Sequence, residues 1–275
     1  KNSGVSGGNL LGRWKSSDQA NSWTLQSYLD HTYRDALQFE ESRDTLDIDL
    51  QQNLRWNDQL LLLMGLGYRY TRDEISSIDA FQFDPQHKKD EVFSAFFQTD
   101  MTLKPEQLFL AVGSKFERND YSGNEAQPSV RLSWLPAENT TFWLATSQAV
   151  RTPSRVENDL TIYVLPDLST PSIVRIAGNR SMNSERVLSY ESGIRTLVRP
   201  DLNAELSLFY NRYSDFVSIE PDTPYLDTLG AGTMFVVLPY HLGNGMRADT
   251  RGYELSMQWL PLSSLDISAH YALLN

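Results

Sequence analysis

The sequence predicts an all-β protein, the wall of a transmembrane up-and-down antiparallel β-barrel, and three observations predict it. Apolar and polar residues alternate with period two through segment after segment. Several segments reach the ~9–11 residues that cross a bilayer at a tilt, where strands of water-soluble proteins run to ~5–6. The links between segments alternate between short and long, which trims one rim and elaborates the other, as barrels of this kind require.

The alternation can be followed along the chain. Trp23, Leu25, Leu29 and Tyr33 oppose Thr24, Gln26, Asp30, Thr32 and Arg34. Leu46, Ile48, Leu50, Leu54 and Trp56 share one face, with Asp47, Asp49, Gln51, Asn53 and Arg55 on the other. A helix would scatter both sets around its axis, whereas a strand separates them. After a tight turn at Asn57-Asp58, Leu60, Leu62, Met64, Leu66, Tyr68 and Tyr70 face away from Gly65, Gly67, Arg69 and Thr71. The same reading holds for Phe93–Leu103, Leu108–Glu117, Leu206–Asn211 and Tyr253–Trp259. About 12 strands emerge, with the large apolar set outside and the small and polar set lining the interior.

Short turns fall near Asp18-Asn21, Asn57-Asp58, Lys104-Glu106, Pro136-Asn139, Arg199-Asp201 and Pro261-Ser264. Long links are expected over 35–42, 73–90, 119–127, 151–185 and 214–245. Aromatic residues near strand ends, such as Trp56, Tyr68, Trp134 and Trp259, suit the headgroup level, where an apolar ring with a polar tip is at home.

Bulk properties exclude several classes. The 275 residues include no cysteine, so there is neither a disulfide framework nor a thiolate metal site. A net charge of -11 and a pI of 4.8 argue against nucleic acid as a partner. Mean hydropathy is -0.41 and the longest nearly unbroken apolar run is Leu60–Gly67, well short of the ~20 residues of a membrane helix. Barrels escape that test because half of each strand faces a polar lumen. Lys1-Asn2-Ser3-Gly4 lacks the apolar core of a signal peptide, so a secreted protein is expected to have its true N-terminus upstream.

Four stretches resemble TonB-dependent outer-membrane receptors. Pro128 to Pro136 (PSVRLSWLP) precedes a strand ending in Arg151-Thr152-Pro153-Ser154, similar to that family's Arg-Ala-Pro-Ser loop entry. Glu185 and Ser189-Tyr190-Glu191-Ser192-Gly193 resemble its Ser-Tyr-Glu-x-Gly strand. Asn203 to Phe216, with Tyr213-Ser214-Asp215, resembles the strand that follows. Arg251-Gly252-Tyr253-Glu254-Leu255 resembles its Arg-Gly-x-Glu-Leu strand. Order and spacing carry the likeness over roughly residues 90–275, while the first 90 fit by pattern and turn parity. Glu191, Arg195, Arg251 and Glu254 are expected on the lumen side, where charges can pair with one another or with water.

The resemblance implies roughly 22 strands around a plug, of which about 12 are present. A plug domain, an energy-coupling box and a terminal strand ending in an aromatic residue are missing. Residues 1–275 are therefore expected to form one partial barrel from the middle of such a receptor. The family implies an outer-membrane active transporter for a scarce nutrient, a ferric siderophore or similar metal chelate. Its partners would be that chelate, the lipid bilayer and a TonB-type inner-membrane energy transducer reached through the plug. It implies no enzyme activity and no cofactor. A passive porin or channel, an outer-membrane enzyme and a soluble β-rich binding module are the alternatives. A plug upstream of Lys1 would reject the porin, activity tied to one rim Ser, His or Asp would support the enzyme, and partition into buffer without detergent would support the soluble module.

His31, His87, His241 and His270 have no metal-site spacing, and no phosphate loop or nucleophile elbow is present. Asp47 and Asp49 share a strand face and are expected to line the lumen rather than act as a carboxylate pair. Recognition belongs in the long links. The link 151–185 offers Arg151, Arg155, Arg175 and Arg180, plus Tyr163, as candidate ligand contacts, because guanidinium forks suit anionic iron chelates. Glu157, Asp159 and Asp167 dilute that charge. The link 73–90, with His87, Lys88 and Lys89 among acids, gives no preference.

Overall fold

The computed structural model describes residues 3–16, 18, 20–165, 171–228 and 234–275. In chain order the elements are β1 (Gly4–Lys15), β2 (Asn21–Asp35), β3 (Phe39–Asn57), β4 (Leu60–Ser77), β5 (Phe81–Phe83) and β6 (His87–Lys104). There follow β7 (Leu108–Asn119), β8 (Gly123–Ala137), β9 (Thr140–Arg151), α1 (Arg155–Asp159), β10 (Leu160–Val164) and β11 (Ser172–Ala177). The chain continues through β12 (Glu185–Arg199), β13 (Leu202–Pro221), β14 (Tyr225–Thr228), β15 (Met234–Leu262) and β16 (Leu265–Leu274). Four of the strands, β5, β10, β11 and β14, are short and belong to links. The long ones form one antiparallel meander, each beside the next long strand in sequence, from β1 through β15 to β16. Among the described residues the sheet does not close.

Register converts the sequence alternation into two surfaces. Leu110, Leu132, Leu144, Ser192, Leu208 and Tyr253 lie side by side on β7, β8, β9, β12, β13 and β15. On the same strands Gly113, Ser129, Ser147, Ser189, Asn211 and Thr250 form the corresponding row of the other face. Apart from Ser192 one row is apolar, and the other is small and polar. The apolar face is not packed against protein: Leu66 is 61% and Leu144 58% exposed. An apolar surface that spans the sheet needs an apolar solvent, which the bilayer supplies. No helix among the described residues is long and apolar enough to cross a membrane.

Three lumen-side glycines lie under rings from the neighbouring strand. A Cβ on Gly65 would meet the Phe96 ring, one on Gly193 the Trp143 ring at 2.7 Å, and one on Gly252 the Phe209 ring at 2.6 Å. Large rings thus cover glycines on the lumen side of the wall, a recurrent way to fill the space a glycine leaves.

Three expectations need correction. Arg251 is on the outer face, not the lumen side: it pairs with Tyr210 and follows the parity of Tyr253, while Glu254 follows that of Gly252. Positions 251 and 254 differ by an odd number, so one regular strand cannot point both inward. The links expected over 35–42 and 119–127 are tight turns of residues 36–38 and 120–122. Their polar flanks are strand: β3 and β4 run to 19 and 18 residues because they continue past the bilayer into water.

Candidate functional site

The link between β9 and β12 is a strap folded across the inner face of the wall at its elaborated rim. It opens with α1, whose first turn is fixed by a capping box: Glu157 N–H bonds the Ser154 hydroxyl at 3.3 Å, and the Glu157 carboxylate accepts Ser154 N–H at 2.7 Å. The chain then turns into β10 and β11, an antiparallel pair. β10 pairs on its other edge with β5 from the β4–β6 link, and β11 runs parallel to the outer part of β15. The strap therefore reaches β4 on one side, about four strand spacings or ~19 Å from β9, and β15 on the other.

Hydrophobic and ionic contacts pin it there. Ile75, on the lumen face of β4, packs with Phe83 and Leu160, and Phe39, Phe81 and Ile162 close around them. Beside this nucleus Asp159, 1% exposed, receives three cations: Lys88 at 2.7 Å, Arg155 at 2.8 Å and Arg180 at 3.0 Å. Arg155, 6% exposed, also meets Asp73 at 3.0 Å and donates to the Pro85 carbonyl at 2.5 Å. Lys88 stacks over the Tyr121 ring, 4.1 Å from its centroid, and the Tyr121 hydroxyl donates to Asp90 at 2.6 Å. At the far end Ser184 Oγ bonds Ser122 Oγ at 2.8 Å. These contacts join the strap to β4, to β6 and to the turn between β7 and β8.

The five sequence candidates separate in this geometry. Arg155 is buried in the network. Arg151, half exposed, forks between Glu157 (2.7 Å) and Glu185 (2.5 Å). Arg180 is mostly exposed, bonding Asp159 and the Asp84 carbonyl. Arg175 and Tyr163 are cross-strand neighbours on β11 and β10, half-buried, and Arg175 makes no ion pair among the described residues. Asp167 lies outside the described residues. Lys88, Asp73 and Asp159 were not singled out by sequence as the centre of this assembly. One signal was legible, the Ser154-x-x-Glu157 spacing that announces a helix start. Three histidines meet single carboxylates, His31 with Asp44, His87 with Glu74 and His241 with Asp222. Among the described residues no three His, Asp or Glu side chains gather as metal ligands.

Charge states follow from these contacts. Burial pushes the Asp159 carboxyl up, but hydrogen bonds from Lys88, Arg180 and Arg155 outweigh it and hold Asp159 below the usual range. Arg151 lowers Glu185 against burial; Glu157 is lowered too, burial being outweighed by Arg151 and Ser154. Asp73 goes the other way, raised by burial despite Arg155 and Arg43. A depressed carboxylate contributes stability above its unfolded pKa and loses it as pH falls through the folded one. A raised carboxylate contributes below its unfolded pKa and loses that as pH rises. As pH falls from neutral toward the ordinary carboxylate range the strap is therefore expected to stay protected, with protonation of the raised Asp73 relieving a cost on the way. It should loosen only below the ordinary carboxylate range of ~3.9–4.3. Hydrogen exchange over 155–185, corrected for its intrinsic pH dependence, checks this; loosening between pH 7 and 5 would contradict it.

Residues 3–275 match the family model described as "TonB dependent receptor-like, beta-barrel". A search of curated proteins returns no match. Among solved structures, the siderophore receptor PirA from Acinetobacter baumannii superposes with a TM-score of 0.80 at 14% identity, over 99% of this chain and 44% of that one. A variant of the ferric enterobactin receptor PfeA from Pseudomonas aeruginosa gives 0.80 at 16%, over 98% and 43%. The FrpB iron transporter from Neisseria meningitidis gives 0.67 at 13%, over 97% and 43%. The chain thus spans a little under half the length of these proteins.

Proposed function

The chain belongs to the TonB-dependent receptor-like β-barrel family, and from that membership we propose that it forms wall and outer links of an outer-membrane importer of a ferric siderophore or similar metal chelate. The observation that carries the reading is the asymmetry of the rims: tight turns at one end, and at the other a strap folded over the inner face. In this reading a strap held there presents its side chains to an incoming ligand. The plug, and its TonB-type energy transducer, belong in this reading to the part of the receptor that the chain does not span. Residues 1–275 act as a single stretch of wall.

Arg175 and Tyr163 are the proposed primary ligand contacts, with Arg151 and Arg180 beside them, and Arg155 as the buried residue that fixes the strap beneath. Ligand anions would be held by charge and directed hydrogen bonds. Growth of a receptor-deleted strain under iron limitation, supplied with single ferric chelates, should be restored by the full-length receptor for a narrow set. Equilibrium binding of the rescuing chelate should then weaken in Arg151→Gln/Arg175→Gln/Arg180→Gln, with a shallower salt dependence. Unchanged affinity and salt slope in a well-folded variant moves recognition to other links or the plug. Uptake of unrelated small solutes without energy would favour a passive channel instead.

A further inference from the structure

At one place in the wall two neighbouring strands continue without pairing. β8 and β9 are joined from Ala137↔Thr140 up to Ser129↔Ser147, and no ladder links residues 123–128 to 148–151 beyond that point. Each flank stays paired on its other side, Gly123 to Pro128 with β7 and Gln148 to Arg151 with β12. Beyond Ser129 the rim therefore consists of two leaves, β4–β8 and β9–β15. The sequence supplies a reason. Gln148 Nε2 donates to the Ala126 carbonyl at 3.0 Å, so that carbonyl points toward β9. Residues two apart in a strand direct their backbone groups to the same side. The N–H that Pro128 lacks is thus one that a β8–β9 ladder would use, and the ladder stops there.

The leaves part outside the bilayer. The outer-face row through Val130 and Thr146, next to the split, runs on through Tyr190, Tyr210 and Arg251, side chains suited to the membrane–water interface. Beyond it Asn124, Ala126 and Pro128 are exposed, and water can serve backbone groups that hydrocarbon could not. Side chains and the strap hold the leaves together. Arg186 of β12 approaches Glu125 of β8 at 3.5 Å, and Ser184 Oγ bonds Ser122 Oγ at 2.8 Å. Arg151, held by Glu185 on the β9–β12 leaf, grips Glu157 of the strap, while Arg155 and Asp159 reach Asp73 on β4 and Lys88 on β6. The β10–β11 pair carries a ladder from β5, in the β4–β6 link, to β15 on the other leaf.

We propose that the β8–β9 seam is a hinge of the mouth: with no ladder bond to break, the two leaves swing apart beyond Ser129 and Ser147 unless the strap ties them. Only the hinge's place outside the bilayer rests on the barrel reading. The test measures spin-label distances in full-length receptor in lipid nanodiscs. One pair, Asn124→Cys with Ala149→Cys, spans the seam; the other, Arg118→Cys with Asn124→Cys, spans the intact β7–β8 ladder. Both are measured with the strap present and with residues 152–184 replaced by a short Gly-Asn turn, which the Arg151↔Glu185 pairing allows. Without the strap the seam pair is expected to lengthen or broaden by about one strand spacing, ~5 Å, or more, while the ladder pair stays as it was. An unchanged seam pair overturns the proposal. So does equal broadening of both pairs, because the strap would then steady the whole rim rather than tie two leaves. If the strapless wall does not assemble, Ile75→Ala/Asp159→Ala, which removes the contacts that pin the strap and nothing in the seam, is read by the same outcomes. Transport enters neither readout, so failure here leaves the importer reading untouched.

Discussion

Replacing Asp159 by Ala is expected to release the strap while leaving the wall assembled. The carboxylate is buried, and so is Arg155, with Lys88 nearly so. Removing one member of a buried ion pair costs ~3–5 kcal/mol, and the lower end applies here because Arg155 keeps Asp73. Arg180 adds little to that figure, since it is mostly exposed and water can replace its partner. The loss is local, because the wall ladders from β1 to β16 do not depend on Asp159. In full-length receptor, protease should cut within 155–185 far faster in the variant, and heat-modifiable mobility on gels should persist. Asp73→Asn should do much less: that carboxyl is already raised by burial, and one of its oxygens has no hydrogen-bond partner. Equal resistance of Asp159→Ala and wild type would mean that the hydrophobic nucleus of Ile75, Phe83 and Leu160 holds the strap alone.

The wall was legible because period two is a local property. Leu46, Ile48 and Leu50 announce their common face without reference to any other strand, and the structure places that face against the same face of Tyr70, Tyr68 and Leu66. The strap was not legible, because its partners are distant in sequence: Lys88 and Asp159 are 71 positions apart. Counting four arginines in one link could not reveal that Arg155 spends its charge on Asp73 and Asp159 while Arg175 makes no ion pair among the described residues. Polar stretches misled for a related reason. Glu40–Ser42 and Lys88–Asp90 lack an apolar face and read as loop, yet both continue strands whose neighbours supply the hydrogen bonds. A strand leaving the bilayer has no need of an apolar side.

The run Leu60–Gly67 offers the sharpest test of the two faces, since there the sequence hides its alternation. Leu61 and Leu63 are as apolar as Leu62 and Leu66, and only register distinguishes them. Leu63 lies in the inner row between Asn53 and Gln98, whereas Leu66 lies in the outer row between Leu50 and Ala95. Arginine at position 63 would enter a polar, hydrated interior, with Asp100 on the same inner face of β6. Arginine at position 66, near the middle of the apolar band, would face hydrocarbon at a cost of ~2–4 kcal/mol. The substitutions are three positions apart, add the same charge and remove the same side chain, so strand propensity and size cancel. Leu66→Arg is thus expected to lower the folded fraction in a reversible unfolding assay by one to two orders of magnitude or more, and Leu63→Arg to leave it nearly unchanged. Inserted into liposomes, a receptor that tolerates Leu66→Arg but not Leu63→Arg would require a register slipped by one residue, which exchanges the faces of the whole wall.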